Sequence, residues 1–413
     1  MSNVTASVRR LLFIAENVSL SQVVRLASLA RRLDPERYEV HFACSEFDPI
    51  VFSGTSFQRW PLFSIDKDQA LKRIERGQRL YETKLLSRYV ADELALFEQV
   101  EPDLVIGDFR LSLAVSTAVA RVRLATLINA YWSPYALRDS FPLPDHPIVD
   151  LLGVDRAARY FPIALPHVFA HFAAPLNALR VRHGLAPLGD LLAALTYGDL
   201  VLYPDVPELC SMQQLPEHHH FLGPVPWSPD TELPAGLLQD CAGKPLIYVT
   251  LGSSGRASAL PAVLSALERL PVVALLATAG RPAPALPANV RVAEYVPGHL
   301  AARSARFVIT NGGASTSYQA LAEGRPVLGI PSNLDQHLAM TAIERARAGR
   351  SLRAGGLKAD QVLRATDELM SSPALVDGAS LVARAFSRFD CHERFSHLLA
   401  RTFEKGSENA SVS

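Results

Sequence analysis

Apolar runs alternate with amphipathic segments along the first half of the chain. Residues 11–15 are uniformly apolar, which predicts a buried strand, and residues 20–33 repeat apolar side chains at helical spacing. The same alternation predicts further strands and helices at 38–43, 80–100, 103–107, 111–121, 124–128 and 200–203. Strands that alternate with helices are typical of a parallel sheet, so residues 1–205 are predicted to form one α/β domain.

The alternation stops at residues 133–190, which are rich in proline and histidine. We predict an insertion of loops and short helices over the edge of the sheet there, where elements that shape substrate sites usually lie. Residues 206–243 contain many Pro, Gly and Asp residues and are predicted to be a linker.

A second alternation of strands and helices follows this linker. Strands are predicted at 246–250, 272–278, 290–294, 307–310 and 326–330, with helices at 259–270 and 315–323. Residues 244–380 are therefore predicted to form a second α/β domain. Residues 381–404 are predicted to be a final helical segment, and residues 405–413 a disordered tail.

Charge and cysteine content narrow the classes of function. The chain has 41 basic and 41 acidic side chains, so no net field draws it to nucleic acid or acidic membranes. This balance is still compatible with a local basic pocket. The four cysteines are dispersed without a CxxC pair, which argues against disulfides or a zinc site and favours a cytoplasmic protein. The apolar run at 11–15 is too short for a signal peptide or a spanning helix, so no membrane segment is predicted.

A glycine pair after one predicted strand of the second domain carries the clearest chemistry. Gly312 and Gly313 are followed by Ser315 and Thr316, which open the next helix. Glycines let a ligand approach the backbone, and the unpaired N–H groups and dipole of a helix N-terminus favour an anion. The turn at 251–255 repeats this construction, and two such turns suit a diphosphate. Taken alone, the glycine pair would be explained by a tight turn with an N-cap.

The surrounding segment, TNGGASTSYQALAEGRPVLGIPSNLDQHLA at 310–339, resembles the donor-binding signature of family 1 GT-B glycosyltransferases. That signature usually reads HGGxGTxxEALxxGVPxLxxPxxxDQ, and the match in order and spacing runs from Asn311 to Gln336. The resemblance implies a GT-B fold, in which two Rossmann-like domains face a central cleft and the C-terminal helix packs back on the first domain. It also implies an inverting, metal-independent transfer from a nucleoside-diphosphate sugar, which is a co-substrate and not a cofactor.

The resemblance assigns the nucleotide sugar to the second domain. Gly313 and Thr316 would hold the diphosphate, Asp335 and Gln336 would bind the sugar hydroxyls, and Gln319 stands where the family has a carboxylate for the ribose. The expected donor-binding residues are Ser253, Tyr295, Val296, Asn311, Gly312, Gly313, Ser315, Thr316, Gln319, Asp335 and Gln336.

Four of these positions have particular expectations attached. Tyr295 and Val296 would pack beside the nucleobase, and Ser253 would face the phosphates across the cleft. Asn311 replaces the histidine of the signature, so it still donates a hydrogen bond to a phosphate but carries no charge.

The catalytic base is the main departure from the family pattern. The family places a histidine after the first strand, where this chain has Gln22, or Ser19 in a shifted alignment. Neither side chain accepts a proton usefully near neutral pH. Asp108 at the end of a strand and Glu16 after the first strand are the carboxylates expected to take that role. Their structural alternatives are a helix N-cap for Asp108 and a solvated loop residue for Glu16.

Further explanations remain for the missing base. Asp145 or His146 of the insertion is one candidate base. An acidic acceptor such as a phenol would need little help from a base. The last option is that the protein has lost catalysis. Tyr131 and Trp132 follow a strand and either stack on an apolar acceptor or pack in the core. The run 218–220 of three histidines is not expected to bind a metal, because consecutive side chains diverge.

Three functions are compatible with this sequence. The first is an active glycosyltransferase that moves a hexose-type sugar to a small-molecule or lipid-like acceptor. The second is a catalytically inactive accessory protein that binds a nucleotide sugar, and the third is another GT-B enzyme such as an epimerase or hydrolase.

Overall fold

The computed structural model consists of two α/β domains, each built on a parallel sheet. It describes residues 8–229, 237, 241, 243–252, 255–282 and 285–410.

The first domain contains seven strands in one sheet. They are β1 Arg9–Ala15, β2 Tyr38–Cys44, β3 Gln58–Pro61, β4 Leu104–Asp108, β5 Arg123–Leu127, β6 Leu200–Tyr203 and β7 His219–Phe221. Their order is β3-β2-β1-β4-β5-β6-β7, and all neighbours are parallel. The side chains of Leu11 to Ile14 in the central strand β1 are fully buried, as expected when helices cover both faces of a parallel sheet.

Helices cover this sheet and extend along one end of it. They are α1 Leu20–Arg31, α2 Pro49–Phe52, α3 Lys67–Glu75, α4 Thr83–Val100, α5 Leu113–Ala120, α6 Pro147–Leu152, α7 Val154–Arg182 and α8 Leu191–Leu195. A short 3₁₀ turn at Ala130–Trp132 follows β5.

The second domain contains six strands. They are β8 Leu246–Thr250, β9 Val273–Ala277, β10 Val290–Ala293, β11 Phe307–Thr310, β12 Val327–Gly329 and β13 Gly349–Ser351. Their order is β10-β9-β8-β11-β12-β13, again parallel throughout. The accompanying helices are α9 Leu260–Glu268, α10 Gly298–Ser304, α11 Ala314–Ala322, α12 Leu334–Arg345, α13 Ala359–Ser371 and α14 Pro373–Phe386.

The last helix, α15 at Cys391–Ala410, leaves the second domain and packs on the first. Its Phe395 meets Phe13 of β1 edge-on, with ring centroids 6.2 Å apart, and Leu399 belongs to the same apolar cluster. The prediction of two parallel α/β domains is confirmed, and α15 connects them a second time.

The region 133–190 differs most from the sequence-based expectation. It contains the 29-residue helix α7, which has Pro162, Pro166 and Pro175 in its interior, where loops and short helices were predicted. Each interior proline removes a backbone hydrogen bond and opposes helix formation. The second half of α7 offsets this because it buries Phe169, Leu176 and their neighbours against α4, α5 and α8.

Two smaller differences concern segment limits. The strand β7 lies within the segment predicted as a linker and forms one edge of the first sheet. Helix α15 continues to Ala410, into the predicted tail, whereas residues 411–413 lie outside the described residues. Within the described part of the chain, no helix combines the length and apolar character needed to cross a membrane.

Candidate active site in the interdomain cleft

The carboxyl ends of both sheets face one large cleft between the domains. Its volume is about 1740 Å³, and residues of both domains line it. Open parallel sheets bind ligands at this edge, because the loops that follow the strands leave a crevice there.

The N-terminus of α11 forms the part of the cleft wall where the signature predicts phosphates. Gly312 has φ +78°, and a side chain there would meet Met340 Cγ at 2.8 Å, so only glycine fits this turn. The N–H of Gly312 donates to Thr310 Oγ1 at 2.8 Å, and the N–H of Gly313 donates to Asn311 Oδ1 at 3.0 Å. The donors left for an anion are therefore the first-turn N–H groups that follow the N-cap Gly313.

The hydroxyls of this first turn are placed to add to that site. Ser315 and Thr316 both line the cleft, and neither side chain has a hydrogen-bond partner among the described residues. The second turn lies beside the first, because a Cβ at Gly252 would come within 3.5 Å of the Asn311 amide nitrogen. The predicted contact from Ser253 lies outside the described residues.

The N-terminus of α12 carries Asp335 into the cleft. Asp335 Oδ1 accepts hydrogen bonds from Tyr131 Oη at 3.1 Å and from Trp132 Nε1 at 2.7 Å. Tyr131 and Trp132 therefore join the first domain to the second at Asp335, where the resemblance predicts the sugar, in addition to lining the cleft. Gln336 caps its own helix, since its Oε1 accepts from the N–H of Ser332 at 2.9 Å.

The residues expected at the nucleoside come from the loop after β10 and from helix α11. Tyr295 is 44% exposed and Val296 is buried beside it, and both line the cleft. Gln319 also lines the cleft, but its Nε2 donates to the backbone carbonyl of Trp227. The Gln319 side chain was predicted to contact the ribose. In this structure its amide nitrogen instead binds the segment that leads into the second domain.

The structure removes Glu16 from the list of candidate bases. Its carboxylate is completely buried, accepts hydrogen bonds from Tyr81 Oη at 2.9 Å and Tyr89 Oη at 3.1 Å, and lies 3.9 Å from Arg110. Burial raises the pKa of Glu16, while Arg110 opposes that rise. Glu16 is not among the cleft-lining residues, so it belongs to the core of the first domain, neither a solvated loop residue nor a base within reach of an acceptor.

Asp108 lies behind an arginine. Its two oxygens accept from Arg25 Nε at 2.9 Å and Arg25 Nη2 at 2.8 Å, and its side chain is fully buried. Burial raises the pKa of Asp108 to about 6, although Arg25 lowers it. Arg25 lines the cleft and Asp108 does not, so Asp108 holds Arg25 in place and is separated from the acceptor. The N-cap of α5 is Ser112, not Asp108.

The remaining candidates for a base are also occupied. Gln22 Oε1 accepts from the N–H of Ser19 at 3.0 Å and so caps α1, while Ser19 and Ser21 share a hydrogen bond of 2.8 Å. Asp145 is bound by Arg353 at 2.6 Å and by the N–H of Gly355 at 2.7 Å, both in the second domain.

The histidines singled out in the sequence have structural partners. His146 accepts from the N–H of Ile148 at 3.1 Å and caps α6. His219 is hydrogen-bonded to Tyr203 Oη at 2.6 Å within the sheet. Among the described residues, no group of three or more His, Cys, Asp and Glu side chains is placed to hold a metal ion.

Sequence reasoning missed a buried polar network that connects the domains. Asp205 follows β6, accepts from the N–H of Ala130 at 2.7 Å and from Asn129 Nδ2 at 3.2 Å, and also accepts from Tyr318 Oη of α11. Arg25 reaches the same network, because its Nη1 donates to Asn129 Oδ1 at 2.6 Å. The position of Asp205 two residues after a strand was the available signal, as the last position of a strand was for Asp108.

Part of the cleft wall is apolar. We name as the chamber the part of the cleft that is lined by α6, the first half of α7 and α3. Its apolar walls include Leu71, Ile74, Leu152, Tyr160, Phe161, Leu165, Val168 and Phe172.

The sequence of this chain is similar to those of known proteins. The profile of the family described as "Erythromycin biosynthesis protein CIII-like, C-terminal domain" matches residues 257–390. A "PGL/p-HBAD biosynthesis glycosyltransferase" of Mycobacterium tuberculosis is 44% identical over 380 residues, which is 92% of this chain and 89% of the relative. A "PGL/p-HBAD biosynthesis rhamnosyltransferase" of Mycobacterium bovis is 43% identical over 382 residues, 92% of this chain and 85% of the relative.

One relative carries a different description. An "Inactive PGL/p-HBAD biosynthesis glycosyltransferase" of Mycobacterium bovis is 43% identical over 262 residues, which is 63% of this chain and 71% of the relative.

Solved structures share the fold at lower identity. The spinosyn forosaminyltransferase SpnP has a TM-score of 0.68 at 21% identity and covers 95% of this chain and 100% of its own. The Streptomyces glycosyltransferase SsfS6, complexed with thymidine diphosphate, has a TM-score of 0.69 at 19% identity, over 95% and 99% of the two chains.

Proposed function

This chain belongs to the family 1 GT-B glycosyltransferases, and we propose that it transfers a hexose-type sugar from a nucleoside-diphosphate sugar to a hydroxyl of a lipid-like acceptor, with inversion and without a metal ion. Its role would correspond to the PGL/p-HBAD biosynthesis named for its mycobacterial relatives.

The observation that carries the proposal is the unpaired N-terminus of α11 at the cleft. Its first-turn N–H groups and the hydroxyls of Ser315 and Thr316 offer donors to a diphosphate, and the helix dipole favours its negative charge. The negative charge of the diphosphate increases as it leaves the sugar, so these fixed donors stabilise the transition state more than the substrate. This supports a departure of the diphosphate that needs no metal ion.

The sugar would lie between the two domains at Asp335. Tyr131 and Trp132 donate to Oδ1 of Asp335, which leaves Oδ2 as the acceptor for a sugar hydroxyl. A carboxylate held by two donors from the opposite domain keeps its orientation, and a fixed partner positions the anomeric carbon against the acceptor. In-line attack from the apolar chamber, opposite the diphosphate, would invert the anomeric centre.

The acceptor hydroxyl would itself be acidic. Ser19, Ser21 and Gln22 lie at the position where a histidine base is expected, and Glu16 and Asp108 are buried behind other groups. A phenol has a pKa of about 10, several units below that of an aliphatic alcohol, and ionises with little help. The apolar chamber favours an acceptor that carries a long hydrocarbon portion beside this hydroxyl.

The second candidate is an inactive protein that still binds a nucleotide sugar. The relative named as inactive and the replacement of the base by Gln22 both favour it. The two candidates agree on donor binding and differ on turnover, so they need two measurements.

Donor binding is tested by thermal denaturation with TDP, UDP, GDP and their glucose conjugates. One nucleotide should raise the midpoint by an amount that grows with the logarithm of its affinity, because it binds only the folded protein. Thr316→Ala should weaken that nucleotide about tenfold through loss of one hydrogen bond to a charged group. The matched control is Thr83→Ala in the first turn of α4, outside the cleft. Equal affinity of both variants would reject the phosphate position.

Turnover is tested with that donor and a long-chain para-alkylphenol, followed by mass spectrometry of the product. Formation of the glycoside supports the active enzyme, and NMR of the product reports the anomeric configuration. A tight donor complex with no transfer to phenols, aliphatic alcohols or water would instead support the inactive protein.

A further inference from the structure

The hairpin of α6 and the first half of α7 exposes many large apolar side chains. Six of them lie within sixteen residues, and we name this surface the α6–α7 face. Its members, with the exposed fraction of each, are Ile148 50%, Leu151 83%, Leu152 39%, Val154 48%, Tyr160 58% and Ile163 71%. Large apolar side chains scattered singly on a surface need no explanation, but a contiguous group of this size marks a binding surface.

The opposite side of the same hairpin is apolar as well. Leu165 and Ala157 are buried, and Phe161 and Val168 line the acceptor chamber. A helix that is apolar around most of its circumference is normally covered on all sides. The inner side of the hairpin therefore faces the chamber, and its outer side is exposed to solvent.

The α6–α7 face continues into the mouth of the chamber. Ile148, Leu152 and Tyr160 are each more than a third exposed and also line the cleft. An apolar molecule lying on this face would therefore contact side chains that also line the cleft.

Basic side chains border the face. Helix α3 lies beside it, because a Cβ at Gly77, just after α3, would come within 2.5 Å of the His146 ring that caps α6. Residues 67–76 contain two lysines and two arginines against one aspartate and one glutamate. On the hairpin itself the exposed Arg156 and Arg159 are balanced by the exposed Asp150 and Asp155, so the net positive charge comes from α3. Apolar side chains with lysine and arginine at their edge are the composition of helices that lie in a lipid interface.

We propose that the α6–α7 face, together with the basic helix α3, docks the enzyme on an anionic lipid surface and receives the acceptor directly from it. The inference rests on the proposed function, because it names where the lipid-like acceptor comes from. The net positive charge of α3 favours an anionic lipid surface over a second copy of the chain, since two copies of this basic helix brought together across a symmetric contact would repel each other.

The first test is flotation of the purified protein with vesicles of phosphatidylcholine, with and without phosphatidylglycerol. Wild type should float, and more strongly with the anionic lipid. Leu151→Ser/Ile163→Ser should reduce the bound fraction by about tenfold or more, because each side chain loses most of its transfer free energy into the interface. Lys72→Glu/Arg76→Glu should remove the preference for phosphatidylglycerol. The matched control is Leu381→Ser on α14, a 59% exposed leucine outside the face.

The second test separates docking from catalysis. Leu151→Ser/Ile163→Ser should keep wild-type turnover with a short, water-soluble phenol and lose turnover with a long-chain phenol embedded in vesicles. Docking is overturned if wild type does not float, if the double variant floats as well as wild type, or if light scattering shows that wild type is a dimer and the double variant a monomer. Failure of the proposed function would look different, with normal flotation and no turnover on either acceptor.

Discussion

The two domains present opposite kinds of chemistry at their carboxyl edges. In the second domain, the loops after β11 and β12 lead into the N-termini of α11 and α12, so the functional groups are backbone N–H groups, hydroxyls and Asp335. In the first domain, the corresponding edge carries Glu16, Asp108 and Asp205, and all three carboxylates are completely buried.

This difference shows that a carboxylate at a strand end is not by itself a catalytic group. Asp108 is neutralised by Arg25, and Asp205 accepts from Asn129, Ala130 and Tyr318. Buried carboxylates satisfied in this way fix the loops around them. The second edge thus offers groups to a ligand, whereas the first edge uses its charges to hold the cleft in shape.

The largest effect is expected from Glu16→Ala. This change leaves the fully buried Arg110 with one carboxylate, Glu93, and leaves Tyr81 and Tyr89 without their acceptor. Each buried hydroxyl left without its acceptor costs about 1–3 kcal/mol, and urea denaturation measures the sum. Transfer per folded molecule should stay unchanged, because Glu16 does not line the cleft.

The matched control for this change is Glu46→Ala, an exposed glutamate after β2. If Glu16→Ala kept wild-type stability but lost transfer, Glu16 would be the base after all, and the contrast between the two edges would fail.

The next effect concerns the second edge. Asp335→Asn should lower kcat/KM about tenfold to a hundredfold, because a neutral amide replaces the charged acceptor of a sugar hydroxyl. Stability should change little, since the partly exposed Asp335 keeps an oxygen for Tyr131 and Trp132. Steady-state kinetics with Asp367→Asn, an exposed residue of α13, as the control would check this. Unchanged kcat/KM would place the sugar elsewhere.

The contrast also explains which parts of the molecule could be predicted from sequence. The edge of the second domain, proposed to bind the donor, is formed within one contiguous segment, from Asn311 to Gln336, so its motif is visible along the chain. The edge of the first domain is formed by pairs far apart in sequence, such as Arg25 with Asp108, 83 residues away, and Asn129 with Asp205, 76 residues away. No local sequence pattern indicates such pairs, so the hydrogen bonds that occupy Asp108 and Glu16 could not be predicted.

The same reasoning applies to the fold. The buried runs of β1, β8 and β11 were predicted because a strand covered on both faces is apolar throughout. Helix α7 was missed because its prolines oppose a helix locally, and only the packing of residues such as Phe169 and Leu176 decides in its favour. The three-residue strand β7 is too short for any periodicity.

A smaller effect is expected at Tyr318, which connects α11 of the second domain to Asp205 of the first. Tyr318→Phe removes the hydrogen bond from α11 to Asp205, which retains Asn129 and the N–H of Ala130. The loss should be about 1 kcal/mol in urea denaturation, with a higher KM for the donor because α11 is less firmly oriented. Tyr135→Phe, at a 37% exposed tyrosine, is the control. An unchanged KM would mean that the two edges act independently.

The smallest effect is the pH dependence contributed by Asp108. Burial raises its folded pKa from 3.8 to about 6, so the folded state binds this proton more tightly than the unfolded state. The contribution to stability is therefore fully present below pH of about 4, is lost as the pH rises towards 6, and is constant above that. Asp108→Asn cannot titrate, so the difference in free energy of unfolding between wild type and variant should change between about pH 4 and 6.

Urea denaturation at stepped pH measures this difference, with Asp103→Asn in the partly exposed ion pair with Arg9 as the control. A difference that stays constant over this window would mean that Arg25 compensates the burial of Asp108 completely. The first edge would then hold a permanent ion pair at every working pH. A difference that keeps changing well above pH 6 would instead describe a carboxylate whose folded pKa lies in the range of catalysis, which is the behaviour expected of a base and not of a group that positions Arg25.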